Sequence, residues 1–113
     1  MQVRLQMDGN VVLIHVEGSI NALYSPHLRS VILEGFSHDI RGVVIDLAQV
    51  NYIDSSGLAT LVEGIQLASA REKKFLLAGA NDNRIRHMME ITRLNELFEL
   101  HEDVEAARKT IME

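Results

Sequence analysis

The spacing of apolar positions changes several times along the chain, and each change marks an element. Val3, Leu5 and Met7 alternate with Arg4 and Gln6, a period of two that predicts a half-buried strand. Asp8, Gly9 and Asn10 supply turn chemistry before the apolar run 11–16, so this opening predicts a β-hairpin. Residues 17–21 read as a short irregular or strand segment. Asn21 or Ser25 then serves as a candidate cap for a helix over 25–36, with Pro26 in its first turn and Leu28, Val31, Ile32 and Phe36 on the inner face. The run 43–47 is apolar enough to be buried on both faces, as strands of parallel sheets are. A helical period follows over 56–70, with Leu58, Leu61, Val62, Ile65 and Ala68 forming the inward stripe. A second buried strand is expected at 75–79. Asn81, Asp82 and Asn83 offer caps for a third helix carrying Ile85, Met88 and Met89, and 97–100 reads as a short edge strand before a last helix over 103–112. Strands alternating with helices predict an α/β fold: a mixed sheet of about four or five strands, an amino-terminal hairpin and about four helices.

Composition narrows this picture. At 113 residues there is room for one domain, 1–113, and the 47% apolar content with only 4% aromatics predicts an aliphatic core. The formal charge of -5, without any long basic block, argues against a nucleic-acid surface. No cysteine is present, so there is neither a disulfide framework nor a thiolate metal site, as suits a reducing compartment. No apolar segment approaches the ~20 residues of a membrane span, and the start of the chain reads as a strand instead of a leader. A cytoplasmic protein without membrane insertion is expected.

Candidate chemistry gathers where the strand period gives way to the helix period, at Asp54, Ser55, Ser56 and Gly57. The simplest reading is helix capping, worth ~0.5–2 kcal/mol, yet one cap needs only one of these side chains. A serine nucleophile is disfavoured. The residue two before Ser55 is Ile53 and the residue two before Ser56 is Asp54, so the first glycine of a G-x-S-x-G elbow is missing. His15, His27, His38, His87 and His101 are scattered without a local signature, and neither a phosphate loop nor a metal-ligand spacing is present. Asp46 lacks the acidic pair that a receiver-type phosphoacceptor needs and reads as structural or solvated. A third reading makes a serine the substrate of another protein. A phosphate at a helix start adds about -1.5 to -2 charges where free amides and the helix dipole tolerate an anion, so its effect would fall on a partner.

The stretch VVIDLAQVNYIDSSGLATLVEG resembles the STAS family, and within it the single-domain bacterial anti-sigma factor antagonists. The likeness extends over the chain: Gly18 to Asn21 resembles the family's Gly-x-x-Asp turn, and Met88 to Phe98 its carboxy-terminal helix and Leu-x-x-Phe strand. The resemblance implies that Ser55, directly after Asp54, is the phosphoacceptor, and that Ser56 helps start the helix. It implies a partner that is both serine protein kinase and anti-sigma factor, bound by the unphosphorylated protein and released on phosphorylation. It also implies a metal-dependent serine phosphatase that resets the switch. The protein itself would have no catalytic residues, cofactor or metal. Two positions depart from the pattern: Asn21 stands where Asp is frequent, and Arg93 where Gly is common, so the third helix is expected to end differently. The expected binding face comprises the 21–24 loop, with Asn21 and Tyr24, and the outward side of the 56–70 helix, with Thr60, Glu63, Gly64 and Leu67. Gly64 has close packing as its other reading. The alternative for the whole chain is a constitutive STAS subunit of a transporter or stress-signalling assembly, with Ser55 only a cap.

Overall fold

The computed structural model describes residues 1–113. Two strands, β1 (Gln2–Asp8) and β2 (Val11–Ile20), pair antiparallel across a two-residue turn of Gly9 and Asn10, as the turn residues dictate. The chain continues through α1 (Ser25–Phe36), β3 (Gly42–Ile53), α2 (Ser55–Ala70), β4 (Lys74–Ala78), α3 (Asn83–Ile91), a 3₁₀ turn (Leu94–Glu96), β5 (Glu99–His101) and α4 (Val104–Met112). The five strands lie in the order β1-β2-β3-β4-β5, and every pair after the hairpin is parallel. A mixed sheet of five strands with four helices and an amino-terminal hairpin is thus the fold.

The sheet carries a core on each face. Val12, Ile14, Val43, Ile45, Phe75 and Leu77 pack against Leu28, Ile32 and Phe36 of α1, Leu58 and Leu61 of α2, and Ile85 and Met89 of α3. Val11, Leu13, Val44, Leu76 and Ala78 meet Ala107 and Ile111 of α4 on the other face. Burial on both faces is why β3 and β4 read as unbroken apolar runs.

Two strands run further than the spacing of apolar residues indicates. β2 reaches Ile20 and β3 reaches Ile53, and their extensions pair with each other through register shifts between His15 and Glu17 and between Gly18 and Ser19. Each shift breaks the period of two, so the extensions look irregular in sequence. Asp46 serves this irregularity. Its Oδ1 accepts from the Ala48 amide at 3.0 Å and its Oδ2 pairs with His15 Nδ1 at 2.7 Å, which makes it a structural residue. β5 begins at Glu99 instead of residue 97, because Phe98 turns into the main core and is buried there.

Candidate functional site

β2 and β3 end side by side at Ile20 and Ile53, and the backbone amide of Asp54 donates to the Ile20 carbonyl at 3.1 Å. This brings the 21–24 loop and the start of α2 together at the carboxyl ends of the strands. The Asp54 carboxylate joins them: Oδ1 accepts from the Gly57 amide at 3.0 Å, capping α2, and Oδ2 accepts from the Ala22 amide at 3.2 Å. Asn21 holds the loop from its other end, its Oδ1 accepting from the amides of Leu23 (3.1 Å) and Tyr24 (3.2 Å). Ser25, the first residue of α1, is buried and donates its hydroxyl to the Asn21 carbonyl at 2.7 Å. Neither Asn21 nor Ser25 therefore caps α1 by the usual side-chain bond. Asn21 fixes the turn that precedes the helix.

Gly57 is required by closeness. A Cβ there would stand 2.7 Å from both the Ile20 carbonyl oxygen and Ile53 Cγ1, so glycine lets α2 start directly against the two strand ends. Gly57 is itself buried beneath the loop. Because Asp54 is the cap and Ser55 and Ser56 are the first two helical residues, neither serine is needed to start α2. Ser55 is exposed and Ser56 half-buried. The adjoining loop and the end of β3 carry two exposed apolar side chains, Leu23 at 76% and Tyr52 at 49%.

Further along α2, the face with Thr60, Glu63, Gly64 and Leu67 turns toward α1 instead of outward. Together with Arg29, Ile32 and Leu33 these residues line a groove of about 200 Å³ between the two helices. Thr60 is buried and gives its hydroxyl to the Ser56 carbonyl at 3.1 Å. At Gly64 a Cβ would sit 2.5 Å from the Phe75 ring, so packing explains this glycine. Both residues form the floor of the groove, and their expected outward placement is corrected. Glu63 remains exposed, bridged to Arg29 with Nε–Oε2 at 2.7 Å and Nη2–Oε1 at 3.2 Å, while Leu67 is half-buried on the groove wall. Sequence reasoning placed the 21–24 loop at the face without singling out Leu23, and it missed Arg29 and Leu33. For the last two a signal existed in their i, i+4 spacing beside the Leu28 and Ile32 stripe.

Near the same end, the Asp82 carboxylate accepts from the Arg84 amide at 2.8 Å as the cap of α3. The Arg84 guanidinium bonded to it holds that carboxyl below its ordinary range. At the far end of α3, Arg93 adopts a left-handed conformation with φ of 60°, the conformation a glycine takes without strain.

The fold and this site define a STAS domain: the family model matches residues 2–107, and the chain belongs to that family. Within it, the chain is 32% identical over 97 residues to the anti-sigma-B factor antagonist of Listeria monocytogenes, covering 84% of this chain and 82% of that protein. An anti-sigma factor antagonist from Mycobacterium paratuberculosis superposes with a TM-score of 0.85 at 22% identity, over 99% of this chain and 94% of that one. The anti-sigma factor antagonist SpoIIAA is also similar, its unphosphorylated form at a TM-score of 0.74 and 15% identity over 98% of each chain. Its phosphorylated form gives a TM-score of 0.74 and 16% identity over 97% of this chain and 99% of that one.

Proposed function

We propose that this protein is a phosphorylation-controlled antagonist of an anti-sigma factor that is also a serine kinase. In this reading the unphosphorylated form binds and sequesters that kinase, and phosphorylation of Ser55 releases it. A metal-dependent serine phosphatase then restores the binding form. The protein acts as a cytoplasmic binding module, without a cofactor and without catalysis of its own. The observation that carries the reading is the placement of Ser55: exposed, in the first turn of α2, and relieved of capping by Asp54.

A phosphate there gains from the helix dipole and the free amides of the first turn. It also places two anions in succession, with the Asp54 carboxylate beside it. The fold tolerates the charge because the site is already open to water. A partner seated over Ser55 would have to desolvate it, which costs the complex and not the free protein. SpoIIAA, whose fold this chain shares, exists in a phosphorylated form, which supports a switch that leaves the fold in place. The partner face in this reading runs from Asn21 and Tyr24 past Ser55, Asp54 and Ser56 to Glu63 and Leu67, with Gly57, Thr60 and Gly64 beneath it.

Wild-type protein and its Ser55→Ala and Ser55→Asp variants, used as baits in lysate of the source cells, test the reading. Wild type and Ser55→Ala should retain a protein kinase that Ser55→Asp loses, with all three folded by circular dichroism. Equal retention by all three would reduce Ser55 to a helix residue and make the domain a constitutive subunit.

A further inference from the structure

The two edges of the sheet are unlike. β5 is only three residues long, which blunts its edge. β1 has seven residues, pairs with β2 in unbroken register from Gln2 to Asp8, and contains neither proline nor lysine. Such an edge is a ready template for another strand. Because Asp8 and Val11 close a two-residue turn, they form a hydrogen-bonded pair, and the pattern alternates from there. The amides and carbonyls of Asp8, Gln6 and Arg4 therefore face β2, while those of Val3, Leu5 and Met7 face away from the sheet.

We propose that β1 pairs antiparallel with β1 of a second copy of this chain, continuing the sheet across a two-fold axis at Leu5. Only odd residues carry outward backbone groups, so odd must meet odd. An axis at Arg4 would set like charges directly opposite, which is destabilising. An axis at Gln6 would leave Val3 opposite the turn residue Gly9. With the axis at Leu5, the whole strand matches its own image: Gln2 faces Asp8, Val3 faces Met7, Arg4 faces Gln6, and Leu5 faces Leu5. The outward groups of Val3, Leu5 and Met7 then all bond. The half-buried Val3 and Leu5 and the exposed Met7 line up with their images on one face. α2 packs over β3 and β4, away from this edge, so Ser55 stays free in both copies. The pairing stands independently of the function proposed for Ser55.

The chain has no cysteine, so single cysteine variants report the register directly. In a hydrogen-bonded antiparallel pair facing Cα atoms lie ~5.5 Å apart, within disulfide reach. Under mild oxidation Leu5→Cys should become a covalent dimer, whereas Met7→Cys, whose image is Val3, should stay monomeric. Sedimentation equilibrium provides a second readout that spares the buried side. Gln6→Glu, which sets a carboxylate opposite each Arg4, should strengthen dimerisation, and Gln6→Arg should weaken it. Met7→Pro removes an outward donor alone and should leave the hairpin's ladder intact while abolishing the dimer. Equal crosslinking of both cysteine variants, or a mass of 12.7 kDa for the wild type and Gln6→Glu at every concentration, would overturn the proposal.

Discussion

Asp54 shows how much one side chain can organise. One of its carboxylate oxygens caps α2 and the other ties down the loop after β2, so the exposed serine that follows is held between two fixed segments. Asp54→Ala should lower the free energy of unfolding by ~1–2 kcal/mol, at the upper end for a lost cap because a second amide also loses its partner. Urea denaturation measures it, and amide exchange should rise at both Ala22 and Gly57; protection lost at Gly57 alone would dissolve the link. Arg93 gives the opposite case. A non-glycine residue in the left-handed region costs ~1–2 kcal/mol, and the flexibility glycine adds to the unfolded chain takes back ~0.5–1 of this. Arg93→Gly should therefore raise stability by ~0.5–1 kcal/mol with helix content unchanged, since α3 already ends in the conformation glycine prefers. The Asp-Ser-Ser-Gly string was legible in sequence as a candidate site. The division of labour within it was not, because any of its first three side chains satisfies the capping pattern equally well.

Among the elements, α2 departs most instructively from its pattern. Its stripe of Leu58, Leu61 and Ala68 is buried as the spacing indicates, but Thr60 and Gly64 are buried too, because the helix is wedged between the sheet and α1. A hydroxyl and a hydrogen atom carry no hydrophobic signal, so the second buried side stayed hidden in the sequence. The strands β2 and β3 concealed their length for a related reason, their register shifts breaking the alternation that would have announced it. α3 carries a prediction of its own. Its cap, Asp82, has a carboxyl held below the ordinary range chiefly by the side-chain bond from Arg84, then by the amide of the same residue. A carboxyl with a folded pKa below its unfolded value contributes stability that is complete above the unfolded pKa and is lost as pH falls through the folded one. Acidification should therefore fray the start of α3 only below the usual carboxylate range, with amide protection at Arg84 and Ile85 falling there. In Asp82→Asn that acid step should be absent, and its persistence would assign the fraying to another group.

At the scale of the whole molecule, the two cores share one sheet, with α4 closing the face opposite α1, α2 and α3. The smaller core is not separable, since Val44 and Leu76 belong to strands whose neighbouring residues build the larger one. Loss of a buried side chain beneath α4 should thus loosen the entire domain. Ile111 is 1% exposed, and replacing a buried isoleucine by alanine costs ~2–5 kcal/mol, a large part of the ~5–15 kcal/mol that stabilises an ordinary domain. Ile111→Ala should lower the midpoint of thermal unfolding seen by far-ultraviolet circular dichroism and by tyrosine fluorescence together. Its folded fraction should still retain the partner with wild-type affinity, because α4 lies across the sheet from Ser55. Ser55→Asp should behave in the reverse way, keeping the midpoint and losing the partner. Stability and binding would then be separable in the two variants. A Ser55→Asp protein that melts earlier by as much as Ile111→Ala would show that charge at this position acts on the fold and not on the interface.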